Sequence, residues 1–249
     1  MPKKQKKLLK DERTDLLFKN MANLRSVFEQ HTGVKSIMGI DPGRDKPGVA
    51  VDIARLGDSG RVPQAQTYST RTKSTGFAKV IEVESWAHSL MTETNPMIIV
   101  MEDYSFGSEY GREKAGEMQG VIMRFIWLKG VPLLKAAPQQ IKAFIGAVDK
   151  DHIMKDVLRK YKIDTKSSDE ADAVVLAKIG QAIITIMNVS ATIQDPAEQK
   201  KFEGSPHKHC GLTQKEARIA LNVLIDKGQK AIEFANGVKM AKFNIETNG

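Results

Sequence analysis

The chain has 249 residues, 41% of them hydrophobic, and carries a formal net charge of +8 with a pI near 9.4. That apolar share excludes a wholly disordered chain, and the length suits one large domain or a domain with appendages. The basic balance points to a polyanionic partner. The single cysteine, Cys210, rules out an intramolecular disulfide and fits a reducing compartment. The opening MPKKQKKLLK lacks the apolar core of a secretion signal. No run of about 18 uninterrupted apolar residues occurs, so no membrane span is expected.

Residues 1–10 hold five lysines and read as a basic arm. Residues 11–31 place Leu16, Leu17, Met21, Leu24 and Phe28 near helical spacing, with Thr14 as a candidate cap. Gly33 breaks that pattern. Residues 34–40 are short and apolar and predict a strand ending at Asp41. The breaker-rich Asp41-Pro-Gly-Arg-Asp-Lys-Pro-Gly is a tight turn. Residues 49–54 and 64–69 give two more strands, an antiparallel meander with the first. A helix over 74–94 stops at Asn95-Pro96. The apolar run 97–101 is a buried strand ending at Glu102.

A glycine-rich loop at 107–111 leads into a helix over 112–129 and a short strand over 131–135. Pro138 opens the next helix, and a lysine-bearing loop and helix cover 147–161. Ser167-Ser168 precede a core helix over 169–187. Strands followed by alternating helices and strands predict a mixed α/β sheet. From about residue 190 the character changes. The stretch 204–211 reads as a loop, and Thr213 with Glu216 forms a capping-box pair ahead of a packing helix. His207, His209 and Cys210 lie close together, but a zinc site needs a second ligand pair that the sequence lacks.

Four carboxylates share a context. Asp41 and Glu102 end apolar strands, while Asp169 and Asp172, three apart, share one face at the start of an apolar helix. Carboxylates gathered from strand ends and a helix start repel one another, and a hard divalent cation relieves that repulsion. Two such ions suit phosphodiester hydrolysis. Each acid has a plainer role as well. Asp41 suits a turn and Asp169 a helix cap, whereas Glu102 after five apolar residues has no such explanation.

IMGIDPGRDKPGVAV, VMEDYSFG, the segment GEMQGVIMRFIWLKGVPLLKAAPQQIKAFIGAVDK and SSDEADAVVLA occur in the order of the motifs of RuvC-type Holliday-junction resolvases, and residues 34–188 resemble that family. The resemblance implies an RNase H-like fold: a mixed five-stranded sheet flanked by helices, here with N- and C-terminal helical extensions. The corresponding division is 1–32 for the basic arm and first helix, 33–189 for the nuclease domain and 190–249 for the C-terminal extension.

The resemblance also implies a homodimer that nicks four-way DNA junctions symmetrically with Mg²⁺ or Mn²⁺, two ions per site. Its metal ligands fall on Asp41, Glu102, Asp169 and Asp172, and its two catalytic lysines on Lys142 and Lys150. Tyr104, Phe106, Arg44, Lys46 and Arg112 are the expected DNA contacts. The family's stacking aromatic, three residues after the glutamate, is replaced by Ser105, with Tyr104 and Phe106 on either side. The long extensions suggest a phage-encoded relative, working in the cytoplasm of its host. Other readings of the same residues are a broader debranching nuclease, a catalytically inactive junction-binding protein and an actin-like ATPase. The last lacks a second phosphate-binding glycine loop.

Overall fold

The structure, a computed structural model, describes residues 10–29, 36–43, 47–53, 66–69, 74–103 and 112–247. Its centre is one five-stranded sheet in the order β3-β2-β1-β4-β5, built from β1 (Ser36–Asp41), β2 (Gly48–Ile53), β3 (Gln66–Ser69), β4 (Pro96–Glu102) and β5 (Leu133–Ala136). The first three strands form an antiparallel meander, and β4 and β5 run parallel to β1. This is the RNase H-like arrangement that the sequence implied.

Side chains alternate across a strand, so one strand can feed two cores. In β4, Ile98 and Val100 face one core while Ile99 and Met101 face the other. In β1, Ile37 belongs to the first and Met38 and Ile40 to the second. The second core is covered by α2 (Gly76–Thr94) and α3 (Arg112–Lys129). The first is covered by α6 (Ser168–Thr192), with α4 (Pro138–Ile145) and α5 (Lys150–Tyr161) beside it. By length and composition α6 could cross a membrane, but 72% of its apolar window is buried against the protein. Its hydrophobicity is that of a central core helix.

The two extensions share the first core. α1 (Lys10–Glu29) contributes Met21, Leu24 and Phe28, and α9 (Gln214–Thr247) contributes Ala217, Ala220, Val223 and Leu224. Asn20 donates to the Leu224 carbonyl at 3.0 Å, and Arg25 donates to the Met187 carbonyl at the end of α6. α9 packs against β5, an edge strand, and touches helices of both layers. It therefore covers one of the two exposed sheet edges, where unpaired backbone groups invite association.

Two local expectations differ from the structure. Thr14 lies inside α1, not at its start. The tail before Thr213 contains two short helices, α7 (Pro196–Gly204) and α8 (Pro206–Cys210), where the stretch 204–211 reads as a loop. Each opens with proline in its first turn, and Asp195 caps α7 by accepting from the Ala197 N–H at 2.9 Å. His209 of α8 packs edge-on against Phe202.

Candidate metal centre

The strand period that splits the cores also aims the acids. Asp41 continues the Ile37–Gly39 face of β1, and Glu102 continues the Ile98–Val100 face of β4, so both side chains point toward α6. The parallel register places Ile40 opposite Met101, which makes the two strand ends neighbours. The third acid comes from α6. Ser167 caps that helix, accepting from the Glu170 N–H at 3.2 Å, and the buried Glu170 carboxylate accepts from the Lys166 N–H at 2.9 Å. With its start so fixed, Asp172 projects toward the strand ends.

Close approach of α6 depends on two glycines. A Cβ on Gly39 would lie 2.0 Å from the Ala173 carbonyl oxygen, and one on Gly48 would lie 2.3 Å from that of Asp169. Any side chain at either position forces the helix away from the sheet.

The result is a tight group. One carboxylate oxygen from each of Asp41, Glu102 and Asp172 lies within 4.8 Å of the others. Asp41 and Asp172 are buried, only 3% and 9% exposed, and Glu102 is half-buried. Asp41 also closes its turn by accepting from the Gly43 N–H at 3.0 Å. All donors are oxygens, and three acids at such spacing suit a hard divalent cation far better than they suit one another. The amino-terminal end of α6 adds a favourable dipole for the negative charge.

The remaining predicted residues are placed unevenly. Asp169, one turn before Asp172, is half-buried, accepts from the Ser168 hydroxyl at 3.2 Å and stands outside the group of three. Lys142 is half-buried on α4, and Lys150 opens α5 directly after its capping residue Asp149. Arg112 opens α3. Tyr104, Phe106, Arg44 and Lys46 lie outside the described residues. Among the described residues, His207, His209 and Cys210 form no metal-binding group.

A charged cluster at the same end of the sheet, on the face opposite the three acids, gave little sign of itself in the sequence. Asp103 follows Glu102, and its N–H donates to the Ala136 carbonyl at 2.8 Å, tying the end of β4 to β5. Its carboxylate meets Lys227 of α9 at 3.0 Å and Lys135 of β5 at 3.8 Å. Burial pushes the Lys135 ammonium below its ordinary value of 10.5. The neighbouring Lys227 charge adds to that fall, and Asp103 opposes it. The one sequence signal was a lysine interrupting the apolar strand VPLLKAA. Lys227 gave none, because its partner is distant in the chain.

No protein-family model matches the chain. Among curated proteins it is similar to the crossover junction endodeoxyribonuclease RuvC of Synechococcus sp. (strain WH7803), with 25% identity over 149 residues, covering 58% of this chain and 96% of the relative. The enzyme of the same name from Cutibacterium acnes (strain DSM 16379 / KPA171202) is 28% identical over 151 residues, covering 58% of this chain and 76% of the relative. Among solved structures, RuvC of Thermus thermophilus in complex with a Holliday junction substrate aligns with 57% of this chain and 90% of its own at TM-score 0.48 and 19% identity. The yeast mitochondrial Holliday junction resolvase Ydc2 aligns with 89% of this chain and 99% of its own at TM-score 0.43 and 11% identity. The resemblance carried by the four motifs is thus met by the sequence comparison as well, and the chain is similar to the RuvC-type crossover junction endodeoxyribonucleases.

Proposed function

We propose that this chain is a divalent-metal-dependent endonuclease that resolves four-way DNA junctions by paired, symmetric nicks, working as a homodimer. The observation that carries this reading is the convergence of Asp41, Glu102 and Asp172, drawn from two strand ends and one helix, within 4.8 Å. The similarity to enzymes named crossover junction endodeoxyribonuclease supplies the substrate class.

Asp41, Glu102 and Asp172 would hold the cation, Mg²⁺ or Mn²⁺, with Asp169 as a fourth carboxylate at the margin. A bound pair of ions supplies an activated water and charge neutralisation at the leaving oxygen. The protein's own part is positional. Buried carboxylates fixed by the sheet register and the capped helix need no rearrangement when DNA arrives, and such preorganisation is the largest common source of catalytic stabilisation. Lys142 and Lys150 stand on consecutive helices, and in this reading they offset charge that builds on the scissile phosphate. Arg44, Lys46 and Arg112 bind backbone phosphates, and Tyr104 or Phe106 stacks on a junction base. Two sites related by a dimer axis give the symmetry of the cuts. A single cysteine, which leaves no intramolecular disulfide to form, is compatible with action in the cytoplasm.

The deciding experiment incubates the protein with a synthetic four-way junction, a Y-fork and a linear duplex, each with Mg²⁺ and with chelator. Paired nicks in the junction alone, abolished by chelator, are expected. Equal cutting of the fork would replace junction resolution with general debranching, and cutting that persists in chelator would remove the metal from the reaction.

A further inference from the structure

Lys135 and Lys227 share a single carboxylate, Asp103. One negative charge held between two ammonium groups leaves a surplus of one positive charge. All three side chains are between a quarter and a third exposed, so the surplus faces solvent at the rim of the sheet. Asp103 is joined to Glu102, and the register sets Lys135 beside Met101 at the same end of the sheet. Strand alternation turns the Lys135 side chain, and with it the Asp103 carboxylate that it meets, to the α3 face, away from the face that carries the three acids. The surplus cation therefore sits at the same end of the sheet as the three anionic carboxylates, on the opposite face. DNA approaching those acids meets repulsion. Its phosphates recur every 3.4 Å or so of helix axis along each strand, so a duplex that crosses the strand ends presents phosphates to both faces of the sheet.

We infer that Lys135 and Lys227 form a phosphate subsite on the α3 face of the sheet, at the end that carries the carboxylate centre, with α9 of the C-terminal extension supplying half of it. This rests on the nuclease reading given above. The subsite joins elements that the sequence keeps apart: a strand of the central sheet and a helix that follows all four motifs. It gives the extension a part in substrate binding besides covering the β5 edge. Asp103 keeps the two ammonium groups together until a phosphate competes for them.

A purely structural role, in which Asp103 pins α9 to the sheet, makes the opposite prediction for one variant. Binding of a labelled four-way junction is measured in chelator across a salt series for the wild type, Lys135→Gln/Lys227→Gln, Lys227→Arg and Asp103→Asn. Far-UV circular dichroism and thermal melting check the fold of each. The double variant is expected to bind more weakly, with a log–log salt dependence about one unit shallower. Lys227→Arg should keep the wild-type slope. Asp103→Asn should bind as tightly as the wild type or several-fold more tightly, because it frees both lysines. An unchanged slope in the double variant overturns the subsite, as does Asp103→Asn weakening binding alongside it. A wild type that binds no junction at all overturns the nuclease reading itself, which separates the two failures.

Discussion

Gly39 of β1 and Ala173 of α6 meet backbone against backbone: a Cβ on Gly39 would stand 2.0 Å from the Ala173 carbonyl oxygen. Asp172 is the residue before Ala173, and Asp41 is two residues beyond Gly39. The contact that sets the height of the helix above the sheet therefore also sets the separation of two of the three converging acids. Gly39→Ala should destabilise the protein by about 1–3 kcal/mol through overpacking. It should also move Asp172 away from Asp41. Urea unfolding would show the first effect. The second would appear as a nuclease that still binds junction DNA but needs much more Mg²⁺ for half-maximal cutting. Wild-type metal dependence in a destabilised Gly39→Ala protein would break the link between the contact and the site.

Asp172→Asn removes one of three crowded negative charges. Without added metal the variant should melt at a higher temperature than the wild type, since the repulsion between Asp41, Glu102 and Asp172 is relieved. With Mg²⁺ the order should reverse. A ligand that binds only the folded state at a hundred times its dissociation constant adds about 2.7 kcal/mol, and for a chain of this size that is a rise of several degrees. The variant should gain little from Mg²⁺ and should lose cutting while keeping junction binding. Melting curves with and without the ion separate these cases, and an equal Mg²⁺ shift in both proteins would show that Asp172 holds no metal.

The parts of the site written in local sequence were legible, and the parts that depend on distant packing were not. The apolar runs before Asp41 and Glu102 were legible as strands because a strand buried on both faces reads as a near-continuous apolar run. Their final acids could be aligned from the two-residue period alone. The start of α6 was legible from its serine cap. The sequence also grouped Asp169 with Asp172, since residues three apart share a helix face. In the structure Asp169 sits in the first turn, where its backbone touches Gly48 and its carboxylate takes the Ser168 hydroxyl, outside the group of three. Helices α7 and α8 were not expected, although Asp195-Pro196 and Ser205-Pro206 each set a proline in the first turn, which is how a helix can begin. Nothing local announced that α9 would lie along β5 or that Lys227 would reach Asp103, 124 residues earlier.

Cys210, the single cysteine, lies half-buried at the end of α8, and burial pushes its thiol from the ordinary 9.0 up to about 11. At pH 8 that change lowers the thiolate fraction about 100-fold. A more basic thiolate is more nucleophilic, which recovers roughly a factor of 10. The native protein should therefore react with a disulfide reagent about 10-fold more slowly than the same protein unfolded in urea. Because the chain has one thiol, the absorbance change reports on Cys210 alone. Equal rates would mean that the end of α8 opens faster than the reagent attacks.

Glu216 joins α9 to α5. Its carboxylate accepts from the Thr213 N–H and hydroxyl at 2.8 Å each, while the Thr213 hydroxyl accepts from the Glu216 N–H at 3.2 Å, and Lys160 lies 2.6 Å away. Burial raises the Glu216 carboxyl, but the hydrogen bonds from Lys160 and Thr213 outweigh it and hold the group below its ordinary 4.5. A carboxyl depressed by folding stabilises the folded state fully above its unfolded value and loses that contribution as pH falls through the folded one. Glu216→Gln should thus be less stable than the wild type at pH 7, by about 1–3 kcal/mol given a hydrogen-bonded charged group. The difference should shrink as pH drops below 4.5. Thr213→Ala, which removes only the cap hydroxyl, should cost about 1 kcal/mol. Urea unfolding of the three proteins at pH 7 and near pH 4 measures both effects. A Glu216→Gln deficit that persists undiminished in acid would mean that the carboxyl contributes shape and not charge to the anchoring of α9.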